Sequence, residues 1–215
     1  MSRRRGRLER VPGLFITFEG GEGAGKSTQI ARLAQHLEAE GREVIVTFEP
    51  GGTPLGKEVR RLVLSPDSHV TPRSEALLYA ADRAHHVDTV IEPALAADKV
   101  VICDRYVDST YAYQGAGRAL ALDDVRTVMQ FAVAGRIPDL TVLLDIDPLE
   151  GLRRARGDGT GDRIEAEGLE FHQAVRRGFL ALAAAEPERF VVLDASGTPE
   201  RIAAAIADVV EERVR

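Results

Sequence analysis

The sequence is poor in cysteine, and it has no apolar run long enough to cross a bilayer. Its single cysteine, Cys103, excludes an internal disulfide and a cysteine-based metal cluster. The formal net charge is −6, so no excess of positive charge favours nucleic acid or an anionic membrane surface. These absences predict a cytoplasmic protein that has neither nucleic acid nor a membrane as its partner.

The remaining composition is that of an ordinary globular protein. Of the 215 residues, 44% are hydrophobic and 29% are charged, which suits one α/β domain with a full core. The arginine-rich segment 1–12 lacks the apolar stretch of a secretory signal. We expect residues 1–12 to form a disordered basic tail, with a transit peptide as the alternative, and residues 13–215 to form a single domain.

Apolar runs that are typical of buried strands alternate with segments of helical periodicity. The strand-like runs are Leu14–Phe18, Glu43–Phe48, Val100–Cys103, Thr141–Leu144 and Phe190–Leu193. The longer helical segments are Pro72–Ala97, Asp123–Ala134, Leu169–Ala185 and Pro199–Val214. Continuous apolar strands separated by helices predict a five-stranded parallel sheet with helices on both faces. Ligands of such folds bind beyond the carboxyl ends of the strands.

A glycine-rich stretch directly follows the first strand. It reads Gly20-Gly21-Glu22-Gly23-Ala24-Gly25-Lys26-Ser27 and fits G-x-x-x-x-G-K-[ST], the phosphate-binding loop. Glycines let successive backbone N–H groups point at phosphate oxygens, and the following helix adds its positive end. We expect contacts to ATP from residues 20–28, including Thr28, with Lys26 on the outer phosphates and the Ser27 hydroxyl on Mg²⁺. The alternative is a glycine-rich turn without a ligand.

Two charged residues follow the third strand. A carboxylate such as Asp104, placed at the end of a strand beside a phosphate loop, can hold Mg²⁺, whereas the alternative is a helix N-cap. Arg105 faces the same cleft, and its planar fork suits a second phosphate group on an acceptor nucleotide. The alternative for Arg105 is a surface ion pair. The pattern indicates phosphoryl transfer between two bound nucleotides.

Further motifs resemble those of the thymidylate kinases. They are Glu49-Pro50-Gly51-Gly52-Thr53, Leu78-Tyr79-Ala80-Ala81-Asp82-Arg83, the segment from Asp104 to Gly115, and Asp162-Arg163-Ile164-Glu165. The resemblance spans residues 14 to about 200 and implies a P-loop kinase fold with a small mobile lid. It also implies transfer of the γ-phosphoryl group of ATP to dTMP, with Mg²⁺ as cofactor, in a homodimer that serves dTTP synthesis.

The same resemblance implies an acceptor site. Tyr79 would stack on thymine and Arg83 would donate to its O4, and their i, i+4 spacing places both on one helix face. The alternatives are core packing for Tyr79 and, for Arg83, a helix surface pair with Asp82 or a nearby acid. The other implied dTMP-binding residues are Glu22, Glu49, Pro50, Arg60, Arg105, Ser109, Thr110, Tyr113 and Gln114. Within this set, Glu22 would read the 3′-hydroxyl and Tyr113 would crowd the 2′ position. The Glu49–Pro50 bond resembles one that is often cis in the family.

The phosphate loop contains no arginine, whereas arginines cluster near Gly157-Asp158-Gly159-Thr160-Gly161. The chain therefore resembles the bacterial type of the family, in which a lid supplies the catalytic cation. The cluster comprises Arg153, Arg154, Arg156 and Arg163, in a lid that we place at about residues 153–163. Solvated arginines on a helix end are the alternative. Phe48 stands where bacterial relatives usually carry arginine before Glu-Pro-Gly-Gly.

Three other functions fit parts of this pattern. Another nucleoside or deoxynucleoside monophosphate kinase of the same fold would share the phosphate loop, but the Tyr79/Arg83 pair and Gln114 argue against it. A nucleotide-binding switch needs D-x-x-G and N-K-x-D motifs, yet Asp104 is followed by Arg105 and the chain has no asparagine. An inactive binding module would not need Lys26 and Ser27 intact.

Overall fold

The computed structural model describes residues 13–155 and 162–214, and the predicted basic tail at 1–12 lies outside them. The strands are β1 (Leu14–Glu19), β2 (Val44–Phe48), β3 (Val100–Asp104), β4 (Leu140–Asp145) and β5 (Phe190–Asp194). They form one five-stranded sheet in the order β2-β3-β1-β4-β5, and every neighbouring pair is parallel. The predicted five-stranded parallel sheet is confirmed.

Helices cover both faces of this sheet. Their bounds are α1 (Lys26–Ala39), α2 (Pro54–Leu64), α3 (Pro72–His86), α4 (Glu92–Ala96), α5 (Val107–Thr110), α6 (Leu122–Val133), α7 (Pro148–Ala155), α8 (Leu169–Ala185) and α9 (Pro199–Val214). Ile16 of β1 belongs to a buried cluster with α1 and α9, whereas the preceding Phe15 belongs to a cluster with α3 to α6. Successive residues of the strand therefore belong to two cores on opposite faces of the sheet. This explains why the strands are continuously apolar and do not alternate between apolar and polar residues.

Cys103 of β3 is fully buried among apolar neighbours. Burial raises the pKa of its thiol well above the usual value, so the thiol stays protonated.

The segment predicted as one helix, Pro72–Ala97, is helical but interrupted by a π-helical turn at Val87–Ile91. Pro93 lies just after this turn. Proline lacks an N–H and its ring collides with the carbonyl one turn earlier, so a wider turn there relieves the clash. A second π-helical turn spans Tyr111–Gly117 and continues α5. Among the described residues, no helix combines the length and apolarity that a membrane span requires.

Candidate functional site

A cleft of about 720 Å³ opens at the carboxyl ends of β1, β2 and β3. Its lining joins the phosphate loop, the Glu49–Pro50 turn, α3, the segment after β3 and the end of α7. The lining residues that the sequence predicted are Glu22, Gly23, Ala24, Gly25, Lys26, Ser27, Thr28, Glu49, Pro50, Arg60, Tyr79, Arg83, Asp104, Arg105, Ser109, Thr110, Tyr113, Gln114 and Arg154. One cavity thus collects both predicted nucleotide-binding sets apart from Gly20 and Gly21, which are not among its lining residues.

The phosphate loop ends in a left-handed glycine that starts α1. Gly25 has φ 86° and precedes Lys26, the first residue of the helix. The Lys26 ammonium donates to the carbonyl oxygens of Gly20 at 3.3 Å and Gly21 at 3.1 Å, which folds it back over the loop. Burial lowers the pKa of Lys26, and the nearby Arg105 charge lowers it further. An arriving phosphate group would give this ammonium a stronger, charged acceptor.

Asp104 ends β3 beside this loop. Its Oδ1 is buried and has no hydrogen-bond partner in the described parts of the chain. The N-cap alternative is wrong, because α5 begins only at Val107 and no side chain caps it. A buried carboxylate oxygen without a partner, in a cleft that Ser27 also lines, suits a hard cation such as Mg²⁺.

Arg105 adopts a left-handed backbone conformation with φ 66°. Its guanidinium donates to Glu22 Oε1 at 2.7 Å and to the Gly20 carbonyl at 3.0 Å, and it lies 5.0 Å from the centre of the Tyr113 ring. Burial alone would raise the pKa of Glu22, but the Arg105 and Lys26 charges and the Tyr113 hydroxyl outweigh it and lower this pKa to about 2. Arg105 is therefore held at the centre of the cleft before any ligand arrives.

Glu19 is a buried acid that the sequence analysis did not single out. Its Oε1 accepts from the backbone N–H groups of Tyr106 at 2.8 Å and Ser109 at 3.2 Å, and its Oε2 accepts from the Ser109 hydroxyl at 2.5 Å. These bonds fasten the turn that carries Arg105 to the end of β1. The available signal was an acid directly after an apolar strand.

Burial, with the neighbouring Asp108 charge, raises the pKa of Glu19 to about 7. Because an exposed glutamate titrates near 4.5, the stability gained from neutral Glu19 is complete below pH 4.5. It is lost as the pH rises through 7. We expect Glu19→Gln to remove this loss, which is on the order of 1–3 kcal/mol.

Urea unfolding at pH 5 and pH 7.5 measures this effect. The free energy of unfolding of wild type should fall relative to Glu19→Gln between the two pH values. Glu170→Gln, at an exposed glutamate of α8, serves as the control and should follow wild type. Parallel pH dependence of wild type and Glu19→Gln would contradict the prediction.

The predicted base-binding pair lies on the cleft side of α3. Tyr79 is half-buried and lines the cleft, so the core-packing alternative is wrong. Arg83 is 1% exposed, which also excludes the surface pair with Asp82. The Arg83 Nε donates to Glu49 Oε2 at 2.7 Å, and its Nη1 donates to the Thr110 hydroxyl at 2.9 Å. Thr110 and Arg83 therefore form one polar wall of the cleft.

Gln114 and the lid-side residue Arg163 share an acceptor that the sequence did not indicate, Glu75. The Gln114 amide nitrogen donates to Glu75 Oε1 at 2.7 Å, which leaves the amide oxygen for a ligand. Arg163 donates to Glu75 Oε2 and also to the Val63 carbonyl, the latter at 2.8 Å. Arg163 thus ties its own segment to α2 and α3 and is a structural contact here.

Arg60 lies at the outer edge of the cleft. Its Nη1 donates to the Pro50 carbonyl at 3.1 Å, across the cis Glu49–Pro50 bond, and its guanidinium lies 5.8 Å from the centre of the Phe48 ring. The Phe48 ring thus makes a cation–π contact with the Arg60 guanidinium. The aromatic residue at this position adds packing, whereas the usual arginine would add a charge.

The predicted lid arginines separate in space. Arg154 lines the cleft, where its Nη1 donates to the Ala195 carbonyl at 3.0 Å. Arg153 is 73% exposed and pairs with Glu150 at 2.8 Å. Arg156 and the rest of residues 156–161 lie outside the described residues. Of the two arginines described in α7, Arg154 is the one placed to meet a nucleotide.

Helix α7 touches the phosphate loop directly. A Cβ at Gly151 would lie 2.3 Å from the Glu22 carbonyl oxygen, and a Cβ at Gly23 would lie 2.0 Å from the Gly151 carbonyl oxygen. Only glycine permits this approach of two backbones. The contact fixes α7 against the loop that would bind phosphate.

Comparison with known proteins places this site in a family. The family model described as thymidylate kinase matches residues 18–206. A thymidylate kinase from Clavibacter sepedonicus is 56% identical over 91% of this chain and 93% of its own length. One from Deinococcus radiodurans is 54% identical over 94% of this chain and 98% of its own length. The crystal structure of thymidylate kinase from Ehrlichia chaffeensis has a TM-score of 0.75 at 33% identity and covers 93% of this chain and 99% of its own.

Proposed function

The chain belongs to the thymidylate kinase family, and we propose that it transfers the γ-phosphoryl group of ATP to dTMP, giving dTDP and ADP. The observation that carries the proposal is a single cleft with two different walls. One wall is the phosphate loop with Lys26 and Ser27, and the other is the polar pocket with Tyr79 and Arg83. Arg105 lies between them, within hydrogen-bond distance of the loop carbonyl of Gly20.

On the donor side, the loop N–H groups and Lys26 would hold the ATP phosphates. Ser27 and Asp104 would hold Mg²⁺, and the buried Asp104 Oδ1 without a partner supports this assignment. The cation would neutralise charge on the transferring group. Lys26, already folded over the loop, would exchange its carbonyl acceptors for phosphate oxygens as ATP enters.

On the acceptor side, Arg105 and Arg60 would bind the dTMP phosphate, and the base would lie between Tyr79 and the polar wall. Glu22 holds Arg105 in place, and its lowered pKa keeps it an acceptor for a sugar hydroxyl. The attacking phosphate oxygen is already ionised, so the reaction needs no general base. Catalysis consists of alignment and charge stabilisation.

A product assay with γ-³²P-labelled ATP tests the proposal. With dTMP present, the label should appear in dTDP. Label in inorganic phosphate alone would indicate a nucleotide switch or simple ATPase, and label in another monophosphate in preference to dTMP would indicate a different kinase of the same fold.

Arg105→Ala should mainly weaken the handling of the acceptor. The variant loses a forked contact to the dTMP phosphate, so we expect KM for dTMP to rise about 10-fold or more and kcat to fall. KM for ATP should change much less. Steady-state kinetics with each substrate varied in turn measures the split, and Arg61→Ala, at an exposed arginine of α2, is the control. A loss of ATP binding with dTMP binding intact would assign Arg105 to the other nucleotide.

Oligomeric state and location are part of the same proposal. We propose a cytoplasmic homodimer, as the family resemblance implies, with residues 13–215 as one domain and a lid at about 153–163 that closes over both nucleotides. Light scattering coupled to size-exclusion chromatography measures the mass in solution. A mass near the 23.3 kDa of one chain would contradict the dimer.

A further inference from the structure

A buried chain of polar contacts runs behind the base pocket. His86 Nδ1 lies 2.7 Å from Glu49 Oε1, and His86 Nε2 lies 2.7 Å from the Thr47 hydroxyl. The other Glu49 oxygen, Oε2, accepts from Arg83 Nε at 2.7 Å. His86, Glu49 and Arg83 are each at most 3% exposed, and Thr47 is 5% exposed. The contacts link β2, the turn after it, and α3.

The donor directions of this chain follow from its chemistry. A carboxylate accepts only, so Nδ1 of His86 donates to Glu49. The second ring nitrogen, Nε2, also has a partner, because the Thr47 hydroxyl can either donate to it or accept from it. Both Glu49 oxygens are occupied, one by His86 and one by Arg83. Although Glu49 lines the cleft, its carboxylate is committed to these two partners.

The turn that contains Gly52 packs tightly against the contact between Thr47 and His86. A Cβ at Gly52 would lie 2.6 Å from the Thr47 hydroxyl oxygen and 2.8 Å from His86 Nε2. The turn after Pro50 therefore closes directly over the Thr47–His86 contact, and only glycine fits there.

The orientation of the Arg83 guanidinium depends on these hydrogen bonds. Besides Glu49, it donates through Nη1 to the Thr110 hydroxyl at 2.9 Å and to the Met129 sulfur at 2.8 Å, and through Nη2 to the Tyr106 carbonyl at 2.9 Å. These bonds leave a single N–H of Nη2 for a ligand in the cleft, counted over the described residues. A small rotation of the guanidinium would turn this donor away from the cleft. Of the acceptors that hold the plane, the Glu49 carboxylate at Nε is the charged one, so it forms the strongest of these bonds.

We propose that His86 and Glu49 are positioning residues that set the acceptor-base specificity of the enzyme by fixing the guanidinium plane of Arg83. Neither side chain contacts the nucleotide. His86 holds Glu49 in the rotamer that receives Arg83 Nε, and Arg83 then presents its remaining N–H to a carbonyl oxygen of the pyrimidine. The ligand class is a pyrimidine with a carbonyl rather than an amino group at the edge that faces Arg83. This proposal rests on the proposed function, since it concerns the same acceptor site.

Kinetics of His86→Gln, Glu49→Gln and Thr47→Val with dTMP and dCMP test the proposal. Leaving a buried partner of a charged pair unsatisfied typically changes affinity about 5- to 150-fold. We expect His86→Gln to raise KM for dTMP about 10-fold and Glu49→Gln to raise it more. Thr47→Val, which removes only the outer contact, should give a smaller change in the same direction. In each variant the dTMP-to-dCMP ratio of kcat/KM should fall, while KM for ATP stays within about 2-fold of wild type.

A matched control is the adjacent histidine. His85 is exposed on the same helix. We expect His85→Gln to match wild type in KM for dTMP and in the dTMP-to-dCMP ratio of kcat/KM. If His86→Gln and Thr47→Val keep the wild-type dTMP-to-dCMP ratio of kcat/KM, the positioning role is wrong and these hydrogen bonds only stabilise the fold. The same conclusion follows if KM for dTMP, KM for ATP and the melting temperature all shift together. If wild type itself does not phosphorylate dTMP, the proposed function fails, a result distinguishable from failure of the positioning role.

Discussion

Replacing Lys26 with alanine is expected to lower kcat by about 10³ or more, because in the proposed reaction its ammonium would stabilise charge on the transferring phosphoryl group. The residue is 8% exposed, and its ammonium donates to two carbonyl oxygens of the loop it belongs to. The apolar core around α1 is formed by other residues, such as Leu33 and Leu37. The fold should therefore survive the substitution.

A coupled ADP-release assay measures the effect, and thermal unfolding checks that the variant is folded. Lys57→Ala, at an exposed lysine of α2, is the matched control and should retain wild-type kcat. A folded Lys26→Ala variant with near wild-type kcat would show that the loop is not catalytic.

Replacing Arg154 with alanine should give the second largest effect, a fall in kcat of about 10²- to 10³-fold with little change in either KM. Arg154 lines the cleft and donates hydrogen bonds to the Ala195 carbonyl and to the Glu150 carboxylate. When both nucleotides are bound, the transferring phosphoryl group offers this arginine a stronger partner than either. An interaction made only at that stage affects kcat and not ground-state affinity.

Arg153→Ala provides the comparison, since Arg153 faces solvent and pairs with Glu150. We expect it to change kcat far less than Arg154→Ala does. Arg156→Ala and the triple variant complete the series, because the prediction for Arg156 rests on the sequence alone. If all three single variants and the triple variant kept full kcat, these arginines would have no catalytic role and would only face solvent.

The positions of the glycine-rich loop and of Arg105 in one cleft were predictable because their signals are local. A strand, a glycine-rich loop and a helix lie in register from Leu14 to Ala39, and Arg105 directly follows the β3 strand that ends at Asp104. Parallel strands bring their carboxyl ends to one edge of the sheet, so residues far apart in sequence meet there. The family resemblance then added the residues of the base pocket.

Glu19 and His86 escaped sequence analysis because their roles depend on contacts across the fold. Glu19 binds Ser109, 90 positions away, and His86 binds Thr47, 39 positions away. A histidine on an amphipathic helix gives no sign of whether it faces solvent, as His85 does, or the core. The same limit applied to Arg83, whose burial against Glu49 appears only once β2 and α3 are packed together.

The interruption at Val87–Ile91 has a local cause that periodicity does not reveal. The apolar pattern of Pro72–Ala97 continues through it, and only Pro93 marks the place where the hydrogen-bond ladder must widen. The turn lets α3 and α4 both pack on the core while His86 points toward Glu49.

The most direct test of the account is a panel of nucleoside monophosphates assayed with ATP and Mg²⁺ under identical conditions. The account predicts that dTMP has the highest kcat/KM, and that dUMP follows it because one methyl in an apolar pocket is worth roughly 1–3 kcal/mol. Monophosphates that present an amino group to Arg83, such as dCMP, should rank below both. A higher kcat/KM for CMP, AMP or an unphosphorylated nucleoside than for dTMP would contradict it.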